Sequence, residues 1–344
     1  MALYNVAVVG ATGAVGREFV NLLEERKFPL AKLYLFASER SLGQSIEFNG
    51  RDLDVTPLTE ENIKSLDIDF AFFSAGAIVA TKFAPLFAEK GAVVIDNSSA
   101  FRMDDKIPLV VPEVNGELIE FAKKGTIIAN PNCSTIQMVP FLQIVEELYG
   151  IESVVVSTYQ SVSGAGQKGI DELREQVQRL FNAQGVTPSV FPQRIAFNLI
   201  PQIGSFYPDG YTQEEKKMIY ESRKILDLPE LDIEVTTVRV PIFYAHAETV
   251  LVTLKHDADL GILRDEINEK LHLKLMDDIE LIEYPTPADA GGENEIFIGR
   301  LRYGGDGRNK KRLHAWIVAD NLKKGAALNG IQIAEKIAGG RYDS

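Results

Sequence analysis

The one cysteine of this 344-residue chain, Cys133, stands in Asn130-Pro131-Asn132-Cys133-Ser134-Thr135, after a strand-like run at 126–129 and at the start of a helix expected near Ser134. A thiol at a helix N-terminus is biased toward the thiolate, the form that attacks acyl carbon. Pro131 stiffens the approach, Asn132 can cap the helix or orient an incoming carbonyl, and Pro140 is expected to kink the helix. A lone cysteine is more often a small buried hydrophobe, so it is the Asn-Pro-Asn-Cys-Ser-Thr setting that points to chemistry. A single cysteine excludes intrachain disulfides and zinc sites of paired cysteines. His246, His256, His272 and His314 fall in no ligand spacing, so no metal is expected.

A second candidate is Gly10-Ala11-Thr12-Gly13-Ala14-Val15-Gly16. It follows a strand at 5–9 and opens a helix at 14–26, setting backbone N–H groups where a pyrophosphate can sit. Its Gly-x-x-Gly-x-x-Gly spacing departs from G-x-G-x-x-G and is common in reductases that take the phosphorylated dinucleotide. The next strand, 32–37, ends in Ser38-Glu39-Arg40-Ser41 and not in the acid that pairs the ribose hydroxyls of NAD. Ser38, Arg40 and Ser41 can hold a 2′-phosphate; Glu39 can repel it or bond an NAD ribose, and the balance favours NADP. Ala75-Gly76, after a strand at 69–74, lies on the same carboxyl edge and is expected to close over the cofactor.

These groups need elements to position them. Strands at 5–9, 32–37, 69–74, 92–96 and 126–129 alternate with helices at 14–26 and 79–90, the pattern of a parallel sheet with crossover helices. From about residue 151 the pattern becomes α+β and mainly antiparallel, with strands at 153–161, 233–240, 247–255, 279–283, 296–301 and 313–319. Helices are expected at 168–184, 213–226 and 260–271, and a last one at 325–337 returns to the first domain. The expected architecture is an α/β Rossmann-like cofactor domain, 1–130 plus 323–344, with a second, α+β domain that carries Cys133 at 131–322.

Composition narrows the partners. Thirty-six Lys and Arg against 49 Asp and Glu give a net charge of −13, which opposes nucleic-acid backbones and anionic membranes. The apolar runs are strand-sized, short of the ~20 residues that span a bilayer. The opening MALYNVAVVG has neither a basic n-region nor a cleavage site, so a cytoplasmic location is expected.

GATGAVG (10–16), DNSSAFR (96–102), VVPEVN (110–115), NPNCSTIQMV (130–139), STYQSVSGAG (157–166), VRVPIFYAH (238–246) and DNLKKGAA (320–327) occur in one order along nearly the whole chain. In these the chain resembles the aspartate-semialdehyde dehydrogenase family, bacterial type. The resemblance implies reversible reductive dephosphorylation of L-aspartyl-4-phosphate to L-aspartate 4-semialdehyde, with NADP, in lysine, threonine and methionine biosynthesis. It makes Cys133 the nucleophile of an acyl-thioester. It makes His246 the proton-exchanging group, Gln160 a substrate-binding and catalytic amide beside Asn132, and Arg239 the fork for the substrate carboxylate. Arg102 and Lys217 match phosphate-binding positions, Glu214 matches the acid for the substrate amine with Glu215 as its alternative, and Ser163, Gly164 and Asn321 match segments around the nicotinamide. Homodimers or homotetramers are implied, with 131–322 as the catalytic and dimerisation domain. The rivals are N-acetyl-glutamyl-phosphate reductase and a catalytically silent paralogue acting as a binding subunit.

Overall fold

A computed structural model describes residues 2–119 and 122–339, and in it the chain divides into two compact units. One runs from the N-terminus to Asn132 and resumes at Ala326; the other is Cys133–Gly325. The expected tail of the first domain extends to 344, and residues 340–344 lie outside the described residues.

The first unit carries a sheet ordered β3-β4-β2-β1-β5-β6-β7, formed by β1 Tyr4–Val9, β2 Leu30–Ala37, β3 Ser45–Phe48, β4 Arg51–Pro57, β5 Phe70–Phe73, β6 Val93–Asp96 and β7 Ile127–Ala129. Its helices are α1 Ala14–Glu25, α2 Glu60–Lys64, α3 Ala77–Glu89 and α4 Pro112–Asn115. All neighbouring pairs are parallel except the β3–β4 hairpin. A parallel sheet is covered on both faces, so its strands read as unbroken apolar runs. Alternate residues of β1 separate accordingly. Val6 and Val8 enter a cluster with Phe19, Leu22 and Leu23 of α1, while Ala7 and Val9 enter one with Phe83, Ala84 and Phe87 of α3. Phe19 stacks on Phe72 at 4.8 Å between ring centres, and removing such a ring from a core costs about 3–5 kcal/mol.

The second unit holds a sheet ordered β11-β12-β13-β10-β8-β9. Its elements are α5 Cys133–Tyr149, β8 Ile151–Gln160, α6 Gln167–Phe181, α7 Gln213–Ile225, β9 Asp232–Arg239, β10 His246–Leu254, α8 Leu260–Glu269, β11 Leu273–Leu275, α9 Pro287–Ala290, β12 Ile296–Tyr303, α10 Gly304–Gly307 and β13 Asn309–Ala319. The chain then passes through a π-helical turn, Lys323–Ala327, into α11 Leu328–Ile337, which packs on α1 and β6 in the first unit. Pro140 lies inside α5, which continues through it as one helix packed against β8, β10 and β13. The strict alternation of β9 buries Ile233, Val235, Thr237 and Arg239. Parallel pairing sets Arg239 beside Gln160 of β8, and antiparallel pairing sets Gln160 beside His246 of β10. Three polar side chains are thereby lined up across adjacent strands, on the buried alternation of each.

One expectation is corrected, and one element was missed. Residues 279–283 form no strand: the Asp278 carboxylate accepts the amides of Glu280 and Leu281, bending the chain into a turn in which Ile282 takes φ +59°. Ile279, Leu281 and Ile282 are exposed, and the edge of the sheet is β11 instead. The β3–β4 hairpin was not anticipated, although Asn49-Gly50, both at positive φ, is the sequence signal for a tight two-residue hairpin turn.

Candidate active site

Because α5 starts at Cys133, the thiol sits on its first turn, with Asn132 immediately before it. The turn Lys323–Ala327 also comes close: a Cβ at Gly325 would stand 3.0 Å from the Cys133 Cβ. Gln160 Nε2 donates to Ser134 Oγ at 2.7 Å and reaches Glu214 Oε1 at 3.4 Å. Glu214 Oε2 in turn accepts from Lys217 Nζ at 3.1 Å. Thr212 caps α7 in a capping box with Glu215, whose other oxygen accepts the Thr237 amide at 3.0 Å. Glu215 is therefore consumed in holding α7 on β9, and Glu214 is the acid directed to Gln160.

Arg239 Nη1 donates to the Ser161 carbonyl at 2.5 Å. Burial pushes its guanidinium below the ordinary value, and the negative charges of Glu214 and Cys133 pull it back. A Cβ at Gly164 would lie 2.7 Å from that Nη1 and 3.2 Å from His246 Nε2, so the guanidinium and the imidazole both close on one backbone point, and a side chain there would push the guanidinium aside.

His246 is fully buried, and its Nδ1 accepts the Ser161 amide at 3.1 Å with Ser161 Oγ also at 3.1 Å. Ser161 and Ser163 hydroxyls both donate to Asn321 Oδ1, at 3.1 and 3.0 Å, and the Ala245 amide donates there at 3.0 Å. One asparagine oxygen thus ties together the turn before His246 and the turn after Gln160. His246 Nε2, by contrast, has no hydrogen-bond partner among the described residues. Burial, followed by the positive charge of Arg239, pushes the imidazole down to about 3, while the Ala245 carbonyl and Glu214 act the other way. The ring is uncharged at neutral pH, with Nε2 as the nitrogen left for chemistry.

Sequence reasoning missed the support beneath this layer. Glu248 follows His246 by two residues on the same strand face and is fully buried, and burial pushes its carboxyl well up. Gln137 and Ser134 of α5 lie near enough to pull it down in part, although neither completes a well-formed hydrogen bond to it. An acid at a buried position of an alternating strand was the available signal. Ser161, the hub of the His246 network, adjoins Gln160 and carries no signal of its own.

In the first unit, Gly10–Gly16 joins β1 to α1. Gly10 takes φ +86°, and a Cβ there would lie 2.9 Å from the Ser74 carbonyl carbon and oxygen; at Gly16 it would lie 2.0 Å from the Gly10 carbonyl oxygen. Gly13 precedes α1 and no side chain caps it, so the first amides of α1, beginning at Ala14 and Val15, face outward from a tight backbone cradle. Thr12 Oγ1 and Ser41 Oγ are 3.1 Å apart, which brings the end of β2 to the cradle, while Ser38 and Arg40 are exposed. Ala75 and Gly76 continue β5 on the same edge, Gly76 at φ +85° before α3. This cradle fits a dinucleotide pyrophosphate.

Arg102 is buried and its Nη2 donates to the Asn97 carbonyl at 2.8 Å. Burial pushes the nearby Asp96 carboxyl up, against two Ser98 hydrogen bonds and the Arg102 charge. Asn130 Nδ2 donates to Asn97 Oδ1 at 2.7 Å and its oxygen accepts from Asn329 of α11 at 2.7 Å. These asparagines lock the Arg102 loop to the end of β7 and were not anticipated. Arg102 and Lys217 belong to different units.

Residues 5–122 match the family description "Semialdehyde dehydrogenase, NAD binding domain", and residues 142–324 match "Semialdehyde dehydrogenase, dimerisation domain". The aspartate-semialdehyde dehydrogenase of Aquifex aeolicus is 47% identical over 333 residues, covering 96% of this chain and 97% of that protein. That of Bacillus subtilis is 45% identical over 341 residues, covering 97% of each. Aspartate semialdehyde dehydrogenase II from Vibrio cholerae, solved as a complex with ASA, superposes with a TM-score of 0.93 at 44% identity, covering 99% of this chain and 100% of that one. These matches bear the aspartyl activity and give no support to the N-acetyl-glutamyl or silent-paralogue alternatives. No helix among the described residues is long and apolar enough to cross a membrane. The chain belongs to the aspartate-semialdehyde dehydrogenase family of nicotinamide-dependent oxidoreductases.

Proposed function

We propose that Cys133 carries the reversible reductive dephosphorylation of L-aspartyl-4-phosphate through an acyl-thioester. The observation behind this reading is the alignment of Arg239, Gln160 and His246 across three strands, with Gln160 bonded to the first turn of the cysteine's helix. The Cys133 thiolate attacks the acyl carbon; the C–S bond forms as the bond to the phosphate oxygen breaks, and phosphate leaves with the electron pair. A nicotinamide dinucleotide bound along Gly10, Thr12, Gly13, Ala14 and Val15, with Ala75, Gly76, Ser163, Gly164 and Asn321, supplies the hydride for the thioester carbon. Breaking the C–S bond then returns the thiolate and frees the semialdehyde.

Arg239 offers a bidentate fork to the α-carboxylate, and Glu214, with Glu215 occupied elsewhere, takes the α-amine. Gln160 and Asn132 orient the acyl carbonyl. His246, uncharged, exchanges a proton with the thiol or the thiohemiacetal oxygen through Nε2. Arg102 and Lys217 bind phosphate. Ser38, Arg40 and Ser41 select NADP through the 2′-phosphate despite Glu39. The enzyme works in the cytoplasm and pairs as a homodimer or homotetramer, the pairing supported by the dimerisation-domain match over 142–324.

The test is NADPH formation from aspartate semialdehyde and phosphate, run beside N-acetyl-glutamate semialdehyde. Phosphate-dependent turnover of the first is expected. Turnover of the second alone would overturn the substrate.

A further inference from the structure

Between α6 and α7, residues 182–212 contain no helix or strand, yet Phe191, Ile195, Ala196 and Ile200 are buried. Ordering so long a segment costs conformational entropy, and long irregular loops in compact units serve a function far more often than not. Its anchors are two side chains one turn apart on α6. Glu172, 6% exposed, accepts the Ser189 amide at 3.2 and 3.3 Å, the Ser189 hydroxyl at 2.9 Å and the Val190 amide. Gln176, 2% exposed, donates to Glu172 Oε1 at 2.7 Å and accepts the amides of Ile195 and Ala196, both at 3.0 Å. An acceptor-only carboxylate suits a point where so many donors converge.

The anchored segment ends on Arg239. Ile200 and Arg239 exchange backbone hydrogen bonds at 2.8 and 3.0 Å, and the Arg239 guanidinium carbon lies 5.9 Å from the centre of the Phe191 ring. Val190, Phe191, Pro192 and Arg239 together line a cavity of about 410 Å³. Phe191 is packed in turn against α6 through Ile170 and Leu173.

We propose that Glu172 and Gln176 are positioning residues for the substrate, holding 189–196 so that Phe191 steadies the Arg239 guanidinium, whose backbone Ile200 pins, where the carboxylate end of the semialdehyde docks. This rests on Arg239 being the carboxylate anchor. Loosening the segment frees the guanidinium to tilt and weakens capture of the carboxylate, while Glu172 and Gln176 themselves belong to neither the phosphate site nor the dinucleotide site. The predicted signature is a change in KM for one substrate.

The experiment compares wild type, Glu172→Gln, Gln176→Leu, Arg239→Lys and the Glu172→Gln/Arg239→Lys double variant, each checked for a wild-type-like unfolding midpoint. Glu172→Gln turns one converging acceptor into a donor, and the loss of a charge-assisted hydrogen bond corresponds to a rise of about tenfold in KM for the semialdehyde. KM for phosphate and NADP should stay within about twofold and kcat within about threefold, since the chemistry is not touched. Gln176→Leu should give the same pattern. In the double variant the Glu172→Gln effect should largely vanish, because both changes act on one guanidinium. A general structural defect would instead lower kcat and leave KM unmoved, and that result overturns the proposal, as does strict additivity with Arg239→Lys. If Arg239→Lys itself leaves the semialdehyde KM unchanged, the Arg239 assignment falls and this proposal with it.

Discussion

Replacing His246 by Gln should make the protein less sensitive to acid. In the folded chain the imidazole is pushed from 6.5 to about 3, so between those values the unfolded chain binds a proton that the native chain refuses. Stability is therefore complete above pH 6.5 and is lost as pH falls through that window. At about 1.4 kcal/mol per pKa unit the whole window is worth about 5 kcal/mol. At pH 4.5, two units below the unfolded value, His246 alone accounts for about 3 kcal/mol of lost stability. Glutamine has no proton to gain, and its side-chain oxygen can still accept the Ser161 amide. The assay is urea unfolding of wild type and His246→Gln at pH 8 and pH 4.5, at one protein concentration so that any contribution of subunit association is held constant. Whatever the variant loses at pH 8, its further fall on going to pH 4.5 should be about 3 kcal/mol smaller than that of wild type. An equal fall in both proteins would show that the native imidazole is not held uncharged by burial beside Arg239.

Glu248→Gln should be more stable than wild type at pH 8, with the gap narrowing as pH falls toward 4.5, because the buried carboxyl's raised pKa gives stability that is present at low pH and lost as pH rises; a gap in urea midpoint that is the same at both ends would refute this. Arg40→Ala should weaken NADP binding by about 1.5–3 kcal/mol, the worth of a charged hydrogen bond, and leave NAD binding nearly unchanged. Equal loss for both nucleotides in fluorescence titrations would return the selection of cofactor to Glu39.

The cofactor half was legible because its chemistry is backbone chemistry. Gly10, Gly13 and Gly16 announce themselves by type and spacing, and the strand and helix around them are the apolar periods that bury Val6, Phe19 and Leu23. Cys133 was legible for the same reason: one residue type at one predicted helix start. Gln160, Arg239 and His246 are separated along the chain, and what joins them is the register of β9, β8 and β10, which only strand pairing fixes. Their roles came from the family resemblance. Pairing was equally out of reach for the Asn97–Asn130–Asn329 chain and for Glu172 and Gln176 against a loop many residues away. The failed strand at 279–283 has the opposite lesson, since Ile279, Leu281 and Ile282, interspersed with Glu280 and Glu283, mimic a strand while Asp278 bends the backbone first.

The thioester on Cys133 can be observed directly by mixing the enzyme with aspartate semialdehyde and NADP in the absence of phosphate, quenching in acid and sequencing the modified peptide by mass spectrometry. Hydride leaves the thiohemiacetal carbon, no acceptor takes the acyl group, and the aspartyl thioester should accumulate. The account predicts one aspartyl group per active site, on Cys133 and nowhere else, formed with one equivalent of NADPH and lost when phosphate is added. NADPH production with no adduct on Cys133, or undiminished turnover by Cys133→Ala, would contradict it.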